Sequence, residues 1–395
     1  MIRIIAAEGE DEKARKAMME QQNFTMHRGA TARSALSAAK VLASKLADRQ
    51  PKLRGKRTVE ALARELGLTL GDQSELTIRR RKSGKVYAFI RADGTRIRHA
   101  GTIRRLNAMA VPPAYVDVRY AADPNSHLQA VGRDAAGRLQ YRYHADWEKV
   151  REHRKANRLG RLVNALPKIR RNVSQILAGD EPTRDFALAA VIELVTRTAI
   201  RAGNESYMKL SGTRGATTLM KSNVQLEGES IVLSFKAKGG KAVRKECGAS
   251  KLVRAIGILH DVPGRRLFQY RDKVGRIHKV NTAAVNAFLR DIAGIKISLK
   301  DFRTLMASAT VVETLAKVEP AESMRGRKKQ VLDAVRSAAD ELSNTPTICR
   351  KSYVHDTIVT AFENGALARI AAKQSGYRSQ SKREQLLAQV VAEAG

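Results

Sequence analysis

Tyr353 closes the run Asn344-Thr345-Pro346-Thr347-Ile348-Cys349-Arg350-Lys351-Ser352-Tyr353. A phenol set among cations is suited to nucleophilic attack on a phosphodiester, with the cations balancing charge that gathers on the phosphate. The whole chain repeats the theme. Its 395 residues include 73 Lys plus Arg against 39 Asp plus Glu, a formal net charge of +34. That excess fits a polyanionic partner, because each neutralised phosphate releases condensed counterions. An enzyme of small metabolites has no use for it.

Other routes to breaking such a bond leave no trace in the sequence. There is no Gly-x4-Gly-Lys-[Ser/Thr] loop, no His-Glu-x-x-His and no Cys-x-x-Cys pair. Carboxylates are scarce near the basic elements, which argues against a two-metal nuclease site. The expected chemistry is therefore covalent, with no metal, nucleotide or other cofactor. Cys247 and Cys349 lie too far apart, and without paired spacing, to suggest a disulfide framework or a zinc site. The first residues are charged too early for a signal peptide, and no run approaches the ~18 apolar residues of a membrane span. A soluble cytoplasmic protein, associated with the nucleoid, is the expectation.

Three regions must position the chemistry. Hydrophobic residues make up 43% of the chain, enough to bury real cores. Residues 1–70 read as a basic, helical accessory extension, with Leu36, Ala39, Ala43 and Leu46 at helical spacing and a second short helix over 58–66. Residues 71–148 read as a small antiparallel β domain. Strand-like runs at 76–82 and 86–90 flank a Ser83-Gly84 turn, an Asp93-Gly94 turn follows, and further extended runs cover 111–118, 128–133 and 139–143. From about Trp147 a charge-dense helical pattern opens a mainly α region, 149–395. Leu188, Val191, Ile192, Val195 and Ala199 form an apolar stripe that should stop near Gly203. One β interruption alternates at Ile231, Leu233, Phe235 and Ala237 before a Gly239-Gly240 turn, and the 324–329 run is the clearest basic surface stretch of the second half. The fold class is α+β.

Each candidate has an ordinary reading when taken alone. Tyr353 suits a packed helix, opened by a Thr345 cap and a first-turn Pro346. Arg201 falls off the apolar stripe and suits a solvated helix end. Lys238 suits a soluble hairpin tip, where Lys236 and Lys241 compete with it. Arg303, behind Asp301, suits a surface position, and Asn344 suits turn chemistry. Tyr141 and Tyr143 share a strand face that is either core or a sugar-phosphate contact.

The order and combination of motifs change that weighing. Val111-Pro112-Pro113-Ala114, Gly132-Arg133-Asp134 and Gln140-Tyr141-Arg142-Tyr143 come first. Thr198-Ala199-Ile200-Arg201-Ala202-Gly203-Asn204-Glu205, Gly215-Ala216-Thr217-Thr218-Leu219, Lys300-Asp301-Phe302-Arg303-Thr304 and the 344–353 run follow. Over residues 75–365 the chain resembles the type IB DNA topoisomerases of the compact poxvirus and bacterial kind. The resemblance implies a clamp on duplex DNA, a monomer, and relaxation through a transient 3′-phosphotyrosyl nick without ATP or metal. It makes Tyr353 the nucleophile, Arg201 and Arg303 the scissile-phosphate arginines, and Lys238 the general acid for the 5′-oxygen. Asn344 stands where poxvirus and eukaryotic relatives carry histidine; it can donate a hydrogen bond but carries no charge. Gln140, Tyr141, Tyr143 and Lys300 are expected to contact DNA.

Two other functions share some of these features. A tyrosine recombinase uses a similar Arg, Lys, Arg, Tyr set. It ordinarily has His-x-x-Arg where this chain has Lys300-Asp301-Phe302-Arg303, and a helical rather than β-rich N-terminal domain. A non-catalytic basic DNA-binding protein explains the charge but not the 344–353 run.

Overall fold

Residues 58–84, 86–373 and 379–394 are described by a computed structural model of the chain. The expected helix around Leu36 to Leu46 lies outside them. Helix α1 (Val59–Glu65) is opened by Thr58, whose hydroxyl accepts from the Ala61 N–H.

The β-rich region is a five-stranded antiparallel sheet built from β1 (Ile78–Ser83), β2 (Val86–Ile90), β3 (Val116–Tyr120), β4 (Leu128–Arg133) and β5 (Leu139–Tyr143). Their order in the sheet is β2-β1-β3-β4-β5. Gly84, at φ 63°, makes the tight β1–β2 turn. A helix absent from the sequence reading, α2 (Ala100–Ala108), covers one face. It is capped by His99, whose Nδ1 accepts from the Thr102 N–H at 3.2 Å. Its Leu106 joins Phe89, Ile97, Val118, Tyr120 and Ala130 in a buried cluster.

The extended run expected over 111–118 is shortened to a strand starting at Val116. Val111 and the two prolines instead form a turn held by Arg80, which donates to the carbonyls of Val111 (2.9 Å), Pro112 (3.0 Å) and Tyr115 (2.8 Å). Proline lacks the N–H that a ladder requires, so this segment offers carbonyls to a side chain instead.

Helix α3 (Trp147–Ile176) begins where the sheet ends and buries Val150, Leu159, Leu162, Leu166, Ile169 and Val173 along one face. Helix α4 (Arg184–Thr198) is apolar nearly all round, with Phe186 to Ile192 buried without a break, and lies in the centre of the largest core. It ends at Thr198, five residues before the expected Gly203. Ala199 takes a left-handed conformation (φ 50°) and returns its N–H to Val195 O, which terminates the helix there.

The chain continues through α5 (Glu205–Ser211) into a three-stranded antiparallel sheet of β6 (Val224–Glu227), β7 (Ser230–Lys236) and β8 (Ala242–Gly248). The Gly239-Gly240 turn is present, both residues at positive φ (78° and 77°). After α6 (Ser250–Asp261), a hairpin of β9 (Gln269–Arg271) and β10 (Ile277–Lys279) leads to α7 (Thr282–Ala293). The remaining helices are α8 (Leu299–Leu315), α9 (Met324–Glu341), α10 (Pro346–Tyr353), α11 (Asp356–Glu363), α12 (Ala366–Ala372) and α13 (Gln380–Ala394). Among the described residues no helix is long and apolar enough to cross a membrane.

Candidate active site

Arg201 is delivered by a loop rather than by a helix face. The left-handed turn at Ala199 releases the chain from α4, and residues 201–203 then run against the Gly215-Ala216-Thr217-Thr218 motif. Ala216 N–H donates to Arg201 O and Thr217 N–H to Ala202 O, both at 2.8 Å. The approach is so close that a Cβ on Gly215 would lie 2.4 Å from Arg201 O. Helical phase therefore fails for Arg201: it is half-buried, and its charge is felt by Tyr353 and Arg303.

Arg303 is also not a surface residue. It is 3% exposed on the second turn of α8, a helix opened by a reciprocal cap between Ser298 and Asp301. Its Nη1 donates to Ala199 O and its Nη2 to Leu342 O at 3.2 Å. Two chain ends, the exit of α4 and the exit of α9, are thus tied to one guanidinium. Its Nε lies 3.5 Å from Tyr353 Oη, and the guanidinium carbon sits 5.1 Å from the centre of the phenol ring.

Tyr353 is the last residue of α10, whose Thr345 cap and first-turn Pro346 are as expected. The side chain is 8% exposed. Burial pushes the phenol pKa up, but the positive charges of Arg303, Arg201 and Lys300, with the Arg303 hydrogen bond, outweigh it. The net effect is a pKa below the ordinary 10. Burial, and then the like charge of Arg303, hold the Arg201 guanidinium below its usual value, opposed by Tyr353. One turn before Tyr353, Cys349 is fully buried and its thiol is pushed up to about 11 by burial. The thiol is therefore protonated near neutral pH.

Asn344 lies between α9 and α10, after Ser343 in a left-handed conformation (φ 51°). Its backbone N–H returns to Ala339 O at 2.8 Å. Its side-chain Nδ2 is buried without a hydrogen-bond partner among the described residues, an uncommon and costly state for an amide. Lys238 is the candidate that the structure does not bring in. It is exposed on the β7–β8 turn and makes no hydrogen bond or ion pair among the described residues.

On the five-stranded sheet, Tyr141 and Tyr143 are 42% and 43% exposed, with rings stacked at 6.1 Å, so this face is surface rather than core. Gln73 donates to Tyr141 Oη at 3.1 Å, and Gln140 donates to Asp134 at 3.0 Å. Lys300 is exposed at the start of α8. Two residues without any sequence signal complete the surroundings. Ser308 Oγ donates to Tyr353 O at 2.8 Å, and Lys245 Nζ donates to Glu341 O at the end of α9.

Arg303 thus lies against one buried phenol, and the positive charges of Arg201 and Lys300 also act on it. Among the described residues no cluster of three or more His, Cys, Asp or Glu could hold a metal ion. Such a site is built for an anion.

Comparison with known proteins agrees. The family described as the catalytic core of eukaryotic DNA topoisomerase I matches residues 144–381. The N-terminal domain of bacterial DNA topoisomerase IB matches residues 86–134. DNA topoisomerase 1B of Acanthamoeba polyphaga mimivirus is 28% identical over 294 residues, 73% of this chain and 88% of the relative. Vaccinia virus (strain Copenhagen) DNA topoisomerase 1B is 23% identical over 239 residues, 59% and 72% of the two chains. Because the catalytic-core match alone spans more than half its length, this chain belongs to the type IB DNA topoisomerases.

Proposed function

We propose that Tyr353 Oη attacks a backbone phosphorus of duplex DNA, expelling the 5′-oxygen of the next nucleotide and leaving a 3′-phosphotyrosyl bond. The observation that carries this is the buried Arg303 guanidinium, whose Nε lies 3.5 Å from Tyr353 Oη, with the positive charges of Arg201 and Lys300 also favouring the phenolate. In this reading Arg201 and Arg303 stabilise the charge on the nonbridging oxygens of the pentacoordinate transition state, where fixed guanidinium donors are strongest. The unpartnered Nδ2 of Asn344 donates to one of the same oxygens. Lys238 protonates the leaving alkoxide, which is too basic to depart unaided.

Religation reverses these steps. Because the phosphotyrosine bond retains the free energy of the broken linkage, no nucleotide is consumed, and no step needs a metal. Between cleavage and religation the free strand end swivels and supercoils relax. Residues 71–148 form one jaw of a clamp and residues 149–395 the other, with Gln140, Tyr141, Tyr143 and Lys300 on DNA. The enzyme acts as a monomer on a bacterial nucleoid.

Plasmid relaxation in excess chelator tests the reaction, and denaturant trapping of the protein–DNA adduct tests the nucleophile. Tyr353→Phe should bind DNA and form no adduct. A persistent adduct from that variant would assign the chemistry to another residue.

A further inference from the structure

The backbone just beyond Tyr353 is gripped from a side where the phosphate chemistry has no part. Helix α10 ends at Tyr353 and α11 begins at Asp356, leaving Val354 and His355 as a buried elbow. The last carbonyls of a helix have no partner within it, and here other helices supply them. Ser308 on α8 takes Tyr353 O, as described above. Lys155 on α3 donates from Nζ to Val354 O at 2.9 Å.

His355 completes the grip with both ring nitrogens. Its Nδ1 accepts from the Thr357 N–H at 3.1 Å, capping α11, and its Nε2 lies 2.8 Å from Glu152 O on α3. Only the neutral tautomer protonated at Nε2 satisfies both contacts. Glu152 also pairs with Lys155 at 3.4 Å. A helical lysine ordinarily extends its ammonium to water; Lys155 turns inward to a carbonyl instead.

The gripping helix reaches the DNA-facing sheet at its other end. Trp147, the first residue of α3, stacks on Tyr143 at 6.4 Å and meets His127 edge-on at 4.4 Å. The same residue joins Ala63, Leu68 and Val150 in a buried cluster. From Trp147 to Lys155 is about 12 Å of continuous helix at 1.5 Å per residue. A single rigid segment therefore seats the sheet and holds the elbow.

We propose that Lys155 and His355 are positioning residues for Tyr353. By pinning the 353–355 elbow to α3, they fix the reach and direction of the phenol relative to the jaw that carries Tyr141 and Tyr143. This rests on the reading of Tyr353 as the nucleophile. Neither residue touches the phosphate; both act through the backbone.

The test compares single-turnover cleavage at saturating DNA with the Kd for the same duplex. Lys155→Met should lower the cleavage rate about 10- to 100-fold, the scale of a misplacement near 1 Å, while Kd stays within about twofold. Lys155→Arg, which keeps a cationic donor, should recover most of the loss. Lys149→Met, which removes an exposed charge from the same helix, should cleave normally. Lys155→Met cleaving at the wild-type rate, or losing affinity and cleavage in proportion, would overturn the inference. Should Lys155→Met not fold, His355→Gln carries the same two readouts. Tyr353→Phe separates the two levels: an adduct from it sinks the nucleophile assignment, whereas an inactive Tyr353→Phe beside a fast Lys155→Met sinks only the elbow.

Discussion

Gly215→Ala is a sharp test of how Arg201 is held, because the perturbation is purely one of space. Gly215 has φ −154°, extended backbone that any residue adopts, so alanine brings no conformational penalty of its own. The added methyl would lie 2.4 Å from Arg201 O, 2.5 Å from Gly203 N and 2.7 Å from Gly203 Cα. All three are backbone atoms, so no flexible side chain can give way. Relief to an ordinary contact of about 3.4 Å requires a shift of about 1 Å.

The segment that must shift is the one presenting Arg201. It is fastened by the hydrogen bonds from Ala216 and Thr217, so it moves as a unit or breaks them. Overpacking of this kind costs about 1–3 kcal/mol of stability. A catalytic group displaced by about 1 Å loses roughly 100-fold in rate, equivalent to about 2.7 kcal/mol in the barrier. The assay is single-turnover cleavage of a duplex that traps the covalent complex, run beside thermal melting to confirm that the variant folds. Arg201→Ala on the Gly215→Ala background should add much less than Arg201→Ala does alone, because both act on one group. Wild-type cleavage by folded Gly215→Ala, or full additivity in the double variant, would refute this account of Arg201.

Other consequences follow from the same geometry. In the free protein Tyr353 should ionise below pH 10, read as the difference in phenolate absorbance between the wild type and Tyr353→Phe. Lys300→Met removes a positive charge that favours the phenolate, so the midpoint should rise, and an unmoved midpoint would remove Lys300 from the site. Asn344→Ala deletes an amide nitrogen with no partner among the described residues, so stability should change by less than about 1 kcal/mol, while cleavage slows at least about 10-fold. A destabilised but fully active variant would show that Asn344 serves the turn alone. Lys238→Ala should slow cleavage by about 100-fold or more, yet recover on DNA whose 5′ bridging oxygen is sulfur, since a thiolate leaves without a proton. Failure to recover would remove Lys238 as the acid.

Much of this arrangement was legible in the sequence, and the exceptions have physical causes. The strands of the five-stranded sheet showed because short β-rich runs were punctuated by glycine turns. Helix α2 did not, because its cap is a histidine rather than Ser, Thr, Asp or Asn. Glycine is the usual left-handed residue, so the sequence points to Gly203 as the exit of α4; the stop is Ala199, an unfavourable residue for that conformation. The helical phase that the sequence suggests for Arg201 fails for the same reason. The motif order and the family resemblance located Tyr353 and Arg303 in the chain, but the burial of Arg303 was invisible. Its carbonyl partners, Ala199 and Leu342, stand 104 and 39 residues away. The inward turn of Lys155 has no signal in the sequence, because its partner Val354 O stands 199 residues away.

The site is uneven in its readiness, and the unevenness has a consequence for how cleavage is controlled. On the side of the proposed nucleophile, Arg303 binds the exits of α4 and α9 and touches the phenol of α10, so that side is held by contacts within the protein. On the leaving-group side, Lys238 stands in solvent on a turn of two positive-φ glycines. Ordering such a side chain costs about 1.5–2 kcal/mol, a cost that only a bound strand with its 5′-oxygen in place can offset. If Tyr353 and Lys238 act as proposed, the proton donor is tied to substrate while the nucleophile is held by the protein itself. On the proposed roles, strand cleavage should then depend on ordering of Lys238 on the β7–β8 turn against DNA, so Gly239→Ala, which strains a residue at φ 78°, should slow cleavage more than it weakens binding.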